Sequence, residues 1–218
     1  MKNVISKFLS VAVVALTTLG TANANVVYTN TPNGSSIGNI SGGNGGNTTT
    51  YGEIFTAPSA ATSLDSISFW LQGTGTNYYY GVATWTGGGA GSALFTSAAV
   101  SGAYSSFTEV TVATGGLNLV AGQKYVAYLS SAGLAGTGYD TVERGTKSSI
   151  DGGMAWDNSG GKSPNNNANW NGNHGTSYVM ADVLTFSSSQ NVPEPESMAL
   201  VGLGLLGLCL SRRKAKQA

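Results

Sequence analysis

The sequence is poor in the side chains that build covalent cross-links and transition-metal sites. Of its 218 residues, one is a cysteine, Cys209, and one is a histidine, His174. A single cysteine excludes a disulfide framework within the chain. A transition-metal site needs several cysteine or histidine ligands, which this sequence does not have. The body of the chain therefore has no disulfide framework and no thiolate metal site.

Charged residues are also scarce, at 9% of the chain, and the formal charges cancel. Between residues 25 and 191 there are eight acidic and four basic side chains, so this part of the chain is net acidic. Nucleic acids are bound through clustered lysine and arginine, which neutralise the phosphates. The composition therefore argues against nucleic acid as a partner.

The N-terminal residues have the parts of a secretory signal peptide. Two lysines precede an apolar run over residues 8–19, and the small residues Ala22 and Ala24 then supply a cleavage site for signal peptidase. The run is too short to cross about 30 Å of hydrocarbon, which disfavours a permanent anchor. We therefore expect residues 1–24 to be a signal peptide that is removed by signal peptidase during export.

The C-terminal residues combine a proline motif, an apolar run and a basic cluster. Residues 198–210 are apolar, and the motif and cluster on either side are Pro193, Glu194, Pro195 and Arg212, Arg213, Lys214. The prolines fix φ and keep the chain extended, and a basic cluster stays on the cytoplasmic side of a membrane. We expect a linker over residues 190–197, a transmembrane helix over 198–211 and a basic cytoplasmic tail over 212–218.

The order of these parts resembles the PEP-CTERM sorting signal of Gram-negative bacteria that form exopolysaccharide. In that family an exosortase, a membrane protease or transpeptidase, removes the apolar helix at or near the motif. The resemblance implies that Pro193, Glu194 and Pro195 are the sorting motif and that residues 212–214 stop transfer through the membrane. It also implies a membrane-anchored precursor and a processed protein at the cell surface or in the extracellular matrix. The alternative is a plain C-terminal anchor with a proline-rich stalk.

Between the two ends, short β-prone runs alternate with glycine, asparagine and serine clusters. Within residues 66–71, Ile67, Phe69 and Leu71 fall on one face, which is the pattern of a half-buried strand. Further strands are expected at residues 53–56, 78–86, 106–112, 123–130 and 178–186. This pattern predicts an all-β fold, a single antiparallel β-sandwich of jelly-roll type over residues 25–189, flanked by the two terminal helices.

Candidate catalytic residues are few. His174 is the only histidine and lies in a polar loop, where a lone histidine is usually a solvated side chain. We therefore expect no catalytic residues and no enzymatic activity. A glycan-active hydrolase is the alternative, because the two carboxylates of a glycosidase are paired in space rather than in sequence. The acids nearest to such a role are Asp151, Asp157 and Asp182.

A polar stretch rich in asparagine and aromatic residues, 139–178, favours contact with sugars. A sugar ring offers an apolar face to an aromatic ring and hydroxyls to asparagine or aspartate. The candidate glycan-binding residues are Trp156, Asp157, Trp170 and Asn171. The other interpretation is that both tryptophans are plugs of the core and that the Asn-Gly pairs are ordinary turns.

Two further ligands are considered. Carboxylates and backbone carbonyls at a sandwich edge are compatible with a structural Ca²⁺, although no calcium-loop motif occurs. No other metal or cofactor is expected. Ice binding needs a flat and regular array of residues such as threonine, but residues 48–50 are an isolated threonine triplet and the chain has no internal repeat.

The sequence therefore predicts an exported, non-enzymatic protein of the cell surface or extracellular matrix, associated with exopolysaccharide or a biofilm. The alternative is a carbohydrate-binding module that uses Trp156, Trp170 and the Asn-rich loop between and beyond them. The expected partners are signal peptidase, an exosortase-type protease and exopolysaccharide, with transient membrane contact through the tail.

Overall fold

The computed structural model describes the body of the chain, over residues 25–41, 48–146, 151–157, 163–168, 170 and 178–188, together with residue 203. The predicted signal peptide, linker and basic tail lie outside the described residues, as does the predicted transmembrane helix apart from Leu203. Within the described part, no helix combines the length and the apolar character needed to cross a bilayer. The body belongs to one compact unit, Ala24–Ser189.

The described part of the body consists of β-strands and the loops that connect them. In chain order the strands are β1 (Asn25–Asn30), β2 (Pro32–Ser41), β3 (Thr50–Thr56), β4 (Ser63–Gly73), β5 (Asn77–Trp85), β6 (Ala90–Thr96), β7 (Val100–Ser101), β8 (Tyr104–Asn118), β9 (Lys124–Ser130), β10 (Tyr139–Gly145), β11 (Asp151–Asp157) and β12 (Asp182–Ser187). Every pairing between these strands is antiparallel.

Strand β4 is the centre of the first sheet. Ile67 of β4 faces Val112 of β8 on one side and Leu184 of β12 on the other. Further along β4, β10 takes the place of β12 beside residues 71–73. Strands β1 and β2 pair with β12 and β10 respectively, so together they form the edge opposite β8.

The second sheet has the strand order β11-β3-β9-β5-β6, and β7 pairs with the start of β5. Its inner face packs against the inner face of the first sheet, as expected for a sandwich. The structure therefore confirms the all-β, two-sheet antiparallel architecture that the alternation of apolar residues predicted.

The main core lies between the two sheets. Completely buried on the inner face of β4 are Ile67, Phe69 and Leu71. Phe69 stacks on Tyr80 of β5 with ring centroids 5.4 Å apart. Phe55 of β3 packs against Phe186 of β12 at 5.9 Å. Because both pairs join opposite sheets, aromatic contacts tie the two layers together.

Some strands differ in extent from the sequence prediction. Strand β8 runs over Tyr104–Asn118, well beyond the predicted residues 106–112. The strand predicted at residues 178–186 begins only at Asp182, because the residues before it bond to the end of β10 instead of to β4. Gly145 N donates to Val179 O at 2.9 Å, and Ala181 N donates to Glu143 O at 3.0 Å. Pairing with distant residues thus decides where these strands begin and end.

Candidate functional site

An open groove lies between the sheets at the edge formed by β2 and β11. It has a volume of about 230 Å³ and is lined by Ile37, Thr48, Tyr51, Met154, Trp156 and Tyr178. Met154 and Trp156 are two residues apart on β11, so their side chains point to the same face of the sheet. Tyr51 of β3 is the cross-strand partner of Trp156. We call this site the Trp156 groove.

The Trp156 groove has an apolar floor and a polar rim. Met154 and Tyr51 are 3% and 6% exposed, whereas Tyr178 at the rim is 41% exposed. Trp156 is half-buried between them. The guanidinium carbon of Arg144 lies 4.2 Å from the centroid of the Tyr178 ring, which is a cation–π contact. The groove therefore suits a ligand that has both an apolar face and polar groups.

A glycine on the facing strand makes room for Tyr51. A Cβ atom at Gly38 of β2 would lie 2.3 Å from the hydroxyl oxygen of Tyr51, so a side chain there would displace the ring. Burial raises the pKa of Tyr51, and a hydrogen bond with Thr48 lowers it by less. The hydroxyl group of Tyr51 is therefore protonated at neutral pH and able to donate a hydrogen bond at the groove.

Trp170 lies on the outer face of the second sheet and is only 4% exposed. Its ring packs edge to face against Tyr128, with centroids 6.0 Å apart. Its Nε1 donates a hydrogen bond of 2.9 Å to the backbone oxygen of Pro164. A Cβ atom at Gly52 would lie 3.1 Å from the Trp170 ring, so this glycine leaves the space that the indole fills. Trp170 is a plug of a second, smaller core.

The Asn-rich loop, residues 163–168, holds that plug in place. The hydroxyl of Tyr128 donates to Asn165 Oδ1 at 2.9 Å, and burial raises the pKa of Tyr128 to about 12, so this donor is neutral. Asn166 N donates to Gly91 O at 2.9 Å. Asn167 Nδ2 donates to Asp157 Oδ2 at 2.9 Å. These asparagines therefore attach the loop to the outer face of the second sheet.

The structure separates the two tryptophans that the sequence grouped into one glycan-binding surface. Trp156 packs against the main core between the sheets, and Trp170 belongs to the cluster on the opposite face of the same sheet. Asp157 is 1% exposed and bonds to Asn167, so it anchors the loop. Of the three candidate residues that the structure describes, only Trp156 lies at an open site. Asn171 lies outside the described residues.

The acids considered for hydrolysis are held in different places. Asp157 lies in the second sheet, whereas Asp182 lies in the first and accepts a 2.5 Å hydrogen bond from Asn30 Nδ2. The side chain of Asp151 and all of His174 lie outside the described residues. Where the structure describes the chain, no three acidic, histidine or cysteine side chains are grouped as a metal ion would require. Asp157 and Asp182 are thus each bonded to an asparagine, Asn167 and Asn30 respectively.

The threonine triplet is mostly buried. Thr49 and Thr50 are 3% and 0% exposed. Thr49 Oγ1 donates to Asp157 O at 2.8 Å, and Thr50 Oγ1 bonds to Ser130 Oγ at 2.7 Å. These hydroxyls join strands within the sandwich and do not form an exposed array.

The residues that the sequence analysis missed are those that complete the Trp156 groove. Tyr51, Tyr178 and Arg144 lie 105, 22 and 12 positions from Trp156 in the chain, and no motif connects them. The proximity of Tyr51 comes from strand pairing, and the stacking of Arg144 on Tyr178 comes from the junction between β10 and β12. Neither is visible as a local pattern.

A comparison with known families decides what the C-terminal residues are. Residues 191–214 match the family described as the PEP-CTERM protein-sorting motif. The chain carries a PEP-CTERM sorting signal. The match includes the predicted motif and basic cluster, Pro193, Glu194, Pro195, Arg212, Arg213 and Lys214. The resemblance of the C-terminal residues to a PEP-CTERM sorting signal is thus confirmed. These residues and the predicted cleavage-site residues Ala22 and Ala24 lie outside the described residues.

The PEP-CTERM motif indicates export and a place at the cell surface or outside the cell, reached through processing by an exosortase. No curated protein matches the sequence. The solved structures that are similar to part of this chain include two of one clostridial protein. One, of the cysteine protease and lectin-like domains of Cwp84, a surface layer associated protein of Clostridium difficile, aligns over 65% of this chain and 32% of its own, at 14% identity and a TM-score of 0.44. The other, clostridial cysteine protease Cwp84 after propeptide cleavage, aligns over 76% and 40%, at 13% identity and a TM-score of 0.46. This chain thus spans well under half of either structure.

Proposed function

We propose that this PEP-CTERM protein is a non-enzymatic component of the cell surface or extracellular matrix, associated with exopolysaccharide or a biofilm. The sorting motif supports the location. The body supports a structural role, because its buried acids Asp140, Asp157 and Asp182 each accept structural hydrogen bonds. A sandwich with few charges and two packed cores suits a protein that persists outside the cell.

The proposed maturation has two cleavages. Signal peptidase cuts after Ala24 while the predicted transmembrane helix, residues 198–211, holds the precursor in the membrane. An exosortase then cuts at or near residues 193–195 and frees the sandwich from its anchor. The membrane contact of the protein is therefore transient.

Intact mass spectrometry in the native host tests this proposal. A mature species that starts at Asn25 and ends near Pro193 is expected outside the cell, and only in a strain that has the exosortase. Additional mass in steps of one hexose would show attached glycan. The same full-length, membrane-bound protein in strains with and without the exosortase would contradict the proposed route.

A second proposal is that the Trp156 groove binds a glycan of that matrix. The observation that carries it is the position of Trp156, which is half-buried in a groove that opens at the edge of the sandwich. An aromatic floor suits the apolar face of a sugar. Tyr178 at the rim, with the Arg144 guanidinium stacked on its ring, suits the hydroxyl groups of the sugar.

Binding of exopolysaccharide purified from the host tests the second proposal, measured by calorimetry on the purified protein. Trp156→Ala and Tyr178→Ala are each expected to weaken binding by at least about tenfold, since truncating a central aromatic removes most of its contact energy. Tyr178→Ala changes an exposed side chain, so it leaves the fold intact. Trp70→Ala, at a half-buried tryptophan outside the groove, is the matched control. Equal affinity of all three variants and the parent protein would exclude the groove.

A further inference from the structure

A second chemically distinctive place lies on β2, at the pair Asn33-Gly34. Gly34 N donates a hydrogen bond of 2.8 Å to Glu143 Oε1 on β10. Ser35 N donates one of 3.0 Å to Asn33 Oδ1. Gly34 has a φ of +79°, and no heavy atom lies within 4 Å of the position that a Cβ would take. Asn33 and Gly34 are exposed, so water reaches the pair.

Glu143 is an unusual residue to find at this place. It is only 3% exposed. Its Oε1 accepts the bond from Gly34, whereas its Oε2 is buried with no hydrogen-bond partner among the described residues. Burial of a carboxylate with incomplete hydrogen bonding is costly. Neither the Trp156 groove nor the sorting motif uses Glu143, so its position calls for another explanation.

Asparagine followed by glycine has a known intrinsic reaction, in which the backbone nitrogen of the glycine attacks the side-chain amide carbon of the asparagine. The attack needs a base to take the proton of that nitrogen and a donor to stabilise the oxygen that becomes negative. The attacking nitrogen, Gly34 N, donates a hydrogen bond to the Glu143 carboxylate. The oxygen that becomes negative, Asn33 Oδ1, accepts a hydrogen bond from Ser35 N. Glycine at the attacking position leaves the approach unobstructed.

We propose that Asn33 is a self-modification site, where Glu143 acts as the base that promotes cyclisation of Asn33 onto Gly34 N with loss of the side-chain nitrogen as ammonia. The evidence is the set of three groups around one Asn-Gly pair: a carboxylate on the nucleophile, a backbone N–H on the carbonyl oxygen, and open space beside the glycine.

The electrons and protons of the step balance without an added reagent. The proton of Gly34 N passes to Glu143 Oε1, and the nitrogen lone pair forms a bond to Asn33 Cγ. The electron pair of the Cγ=Oδ1 bond moves onto Oδ1, which the Ser35 N–H stabilises. When that pair returns, the Cγ–Nδ2 bond breaks, and Glu143 gives the proton to the departing nitrogen, which leaves as ammonia.

Water then opens the cyclic imide at either of its two carbonyl carbons and yields aspartate or isoaspartate at position 33. Either product places a negative charge close to Glu143. The isoaspartate route also adds a backbone atom to β2, where the pairing with β10 already shifts register on both sides of Glu143. The modification is therefore expected to loosen this edge of the first sheet as the protein ages outside the cell.

Peptide mapping of the purified full-length chain tests the proposal. After incubation at neutral pH, cleavage next to tyrosine yields residues 29–51, a peptide that contains both Asn33-Gly34 and the reference pair Asn44-Gly45. Tandem mass spectrometry measures conversion at each asparagine. Glu143→Gln is expected to slow conversion at Asn33 by about a hundredfold, the lower range for a positioned general base. Conversion at Asn44, and at the further pair Asn171-Gly172, is expected to stay unchanged.

Two further experiments separate catalysis by Glu143 from a loss of structure. In denaturant the parent protein and Glu143→Gln are expected to convert Asn33 at the same rate, because Glu143 is 110 positions from Asn33 and is brought near it only by folding. Glu143→Asp keeps the charge, but its shorter side chain moves the carboxylate oxygen away from Gly34 N, so this variant is expected to slow conversion as well. Equal native rates at Asn33 in the parent protein and in both variants would overturn the proposal. So would an Asn33 that stays intact in the native parent protein while Asn44 converts.

Discussion

Trp170 and Trp85 meet edge to face on the outer side of the second sheet, with ring centroids 5.9 Å apart and an angle of 83° between the rings. Trp170 lies beyond the Asn-rich loop in sequence, yet it is as buried as a core residue. The loop and its tryptophan therefore form part of the fold rather than an accessory ligand-binding arm, and the stability of the protein depends on them.

Replacement of Trp170 by alanine measures that dependence. Trp170→Ala is expected to lower the free energy of unfolding by about 3–5 kcal/mol, because it leaves a large cavity over the second sheet. Chemical denaturation followed by circular dichroism gives the value. Trp70→Ala, which truncates a half-buried tryptophan, is expected to cost clearly less. Equal losses for the two variants would show that Trp170 does not plug a core.

Gly81 of β5 leaves space for the Tyr128 ring. A Cβ atom at Gly81 would lie 2.1 Å from Cζ of Tyr128, whose hydroxyl is fixed by Asn165. Gly81→Ala is therefore expected to destabilise the protein by about 1–3 kcal/mol through overpacking. Gly88→Ala is the control, because no heavy atom lies within 4 Å of the place that its Cβ would occupy. The midpoint of thermal unfolding is measured for both variants. An unchanged midpoint for Gly81→Ala would contradict the packing argument.

Asp140 links stability to pH. Its Oδ1 and Oδ2 accept hydrogen bonds of 3.2 Å from Gly75 N and Thr76 N. Burial raises the pKa of Asp140, and the two backbone hydrogen bonds lower it by less. The native protein therefore holds this proton up to a higher pH than the unfolded chain, in which the pKa is about 3.9. Stability from this group is present below that value and is lost as the pH rises through the raised pKa.

Asp140→Asn removes this titration. As the pH is raised from about 3 to about 7, the free energy of unfolding of the parent protein is expected to fall relative to that of Asp140→Asn. Urea denaturation at several pH values measures the shift. Glu109→Gln, at an exposed acid on β8, is the matched control. A difference that favours the parent protein more strongly as the pH rises would contradict the raised pKa.

The sorting motif is tested by replacing Pro193, Glu194 and Pro195 with alanine. The protein is then expected to keep its C-terminal tail and to stay in the membrane fraction of a host that has the exosortase, because the protease no longer recognises the linker. Glu196→Ala, directly beside the motif, is the control and is expected to be processed normally. Intact mass and fractionation report both outcomes, and normal release of the triple variant would count against the sorting role.

The strands of the main core were the part of the fold most open to prediction. Ile67, Phe69 and Leu71 occupy every second position of the sequence, and all three are buried on β4. Strand β2 gives no such signal, because its sequence is PNGSSIGNIS and its extended form depends on pairing with β10 across two register shifts. Alternation reports which face is buried only where one face is apolar, whereas edge strands of mixed composition are set by their neighbours.

The candidate site was predicted in part, for a similar reason. Trp156 was identified from its chemistry and lines the groove, whereas Trp170 lies on the opposite face of the same sheet, under the loop. Tyr51 and Tyr178 line the groove, and Arg144 stacks on Tyr178, through contacts between distant parts of the chain. Distances in the chain carry no information about such contacts.

The sequence by itself determined the sorting motif and the all-β class of the body. Both are local properties, since an exosortase signal is a linear order of residues and strand alternation repeats every second residue. Only the tertiary structure decided that Trp156 lines an open groove while Trp170 is buried. It also decided that Glu143 accepts a hydrogen bond from Gly34, 109 positions away in the chain. These outcomes depend on which distant strands pair and on which face a loop covers. That choice follows from packing of the whole chain and not from any one segment.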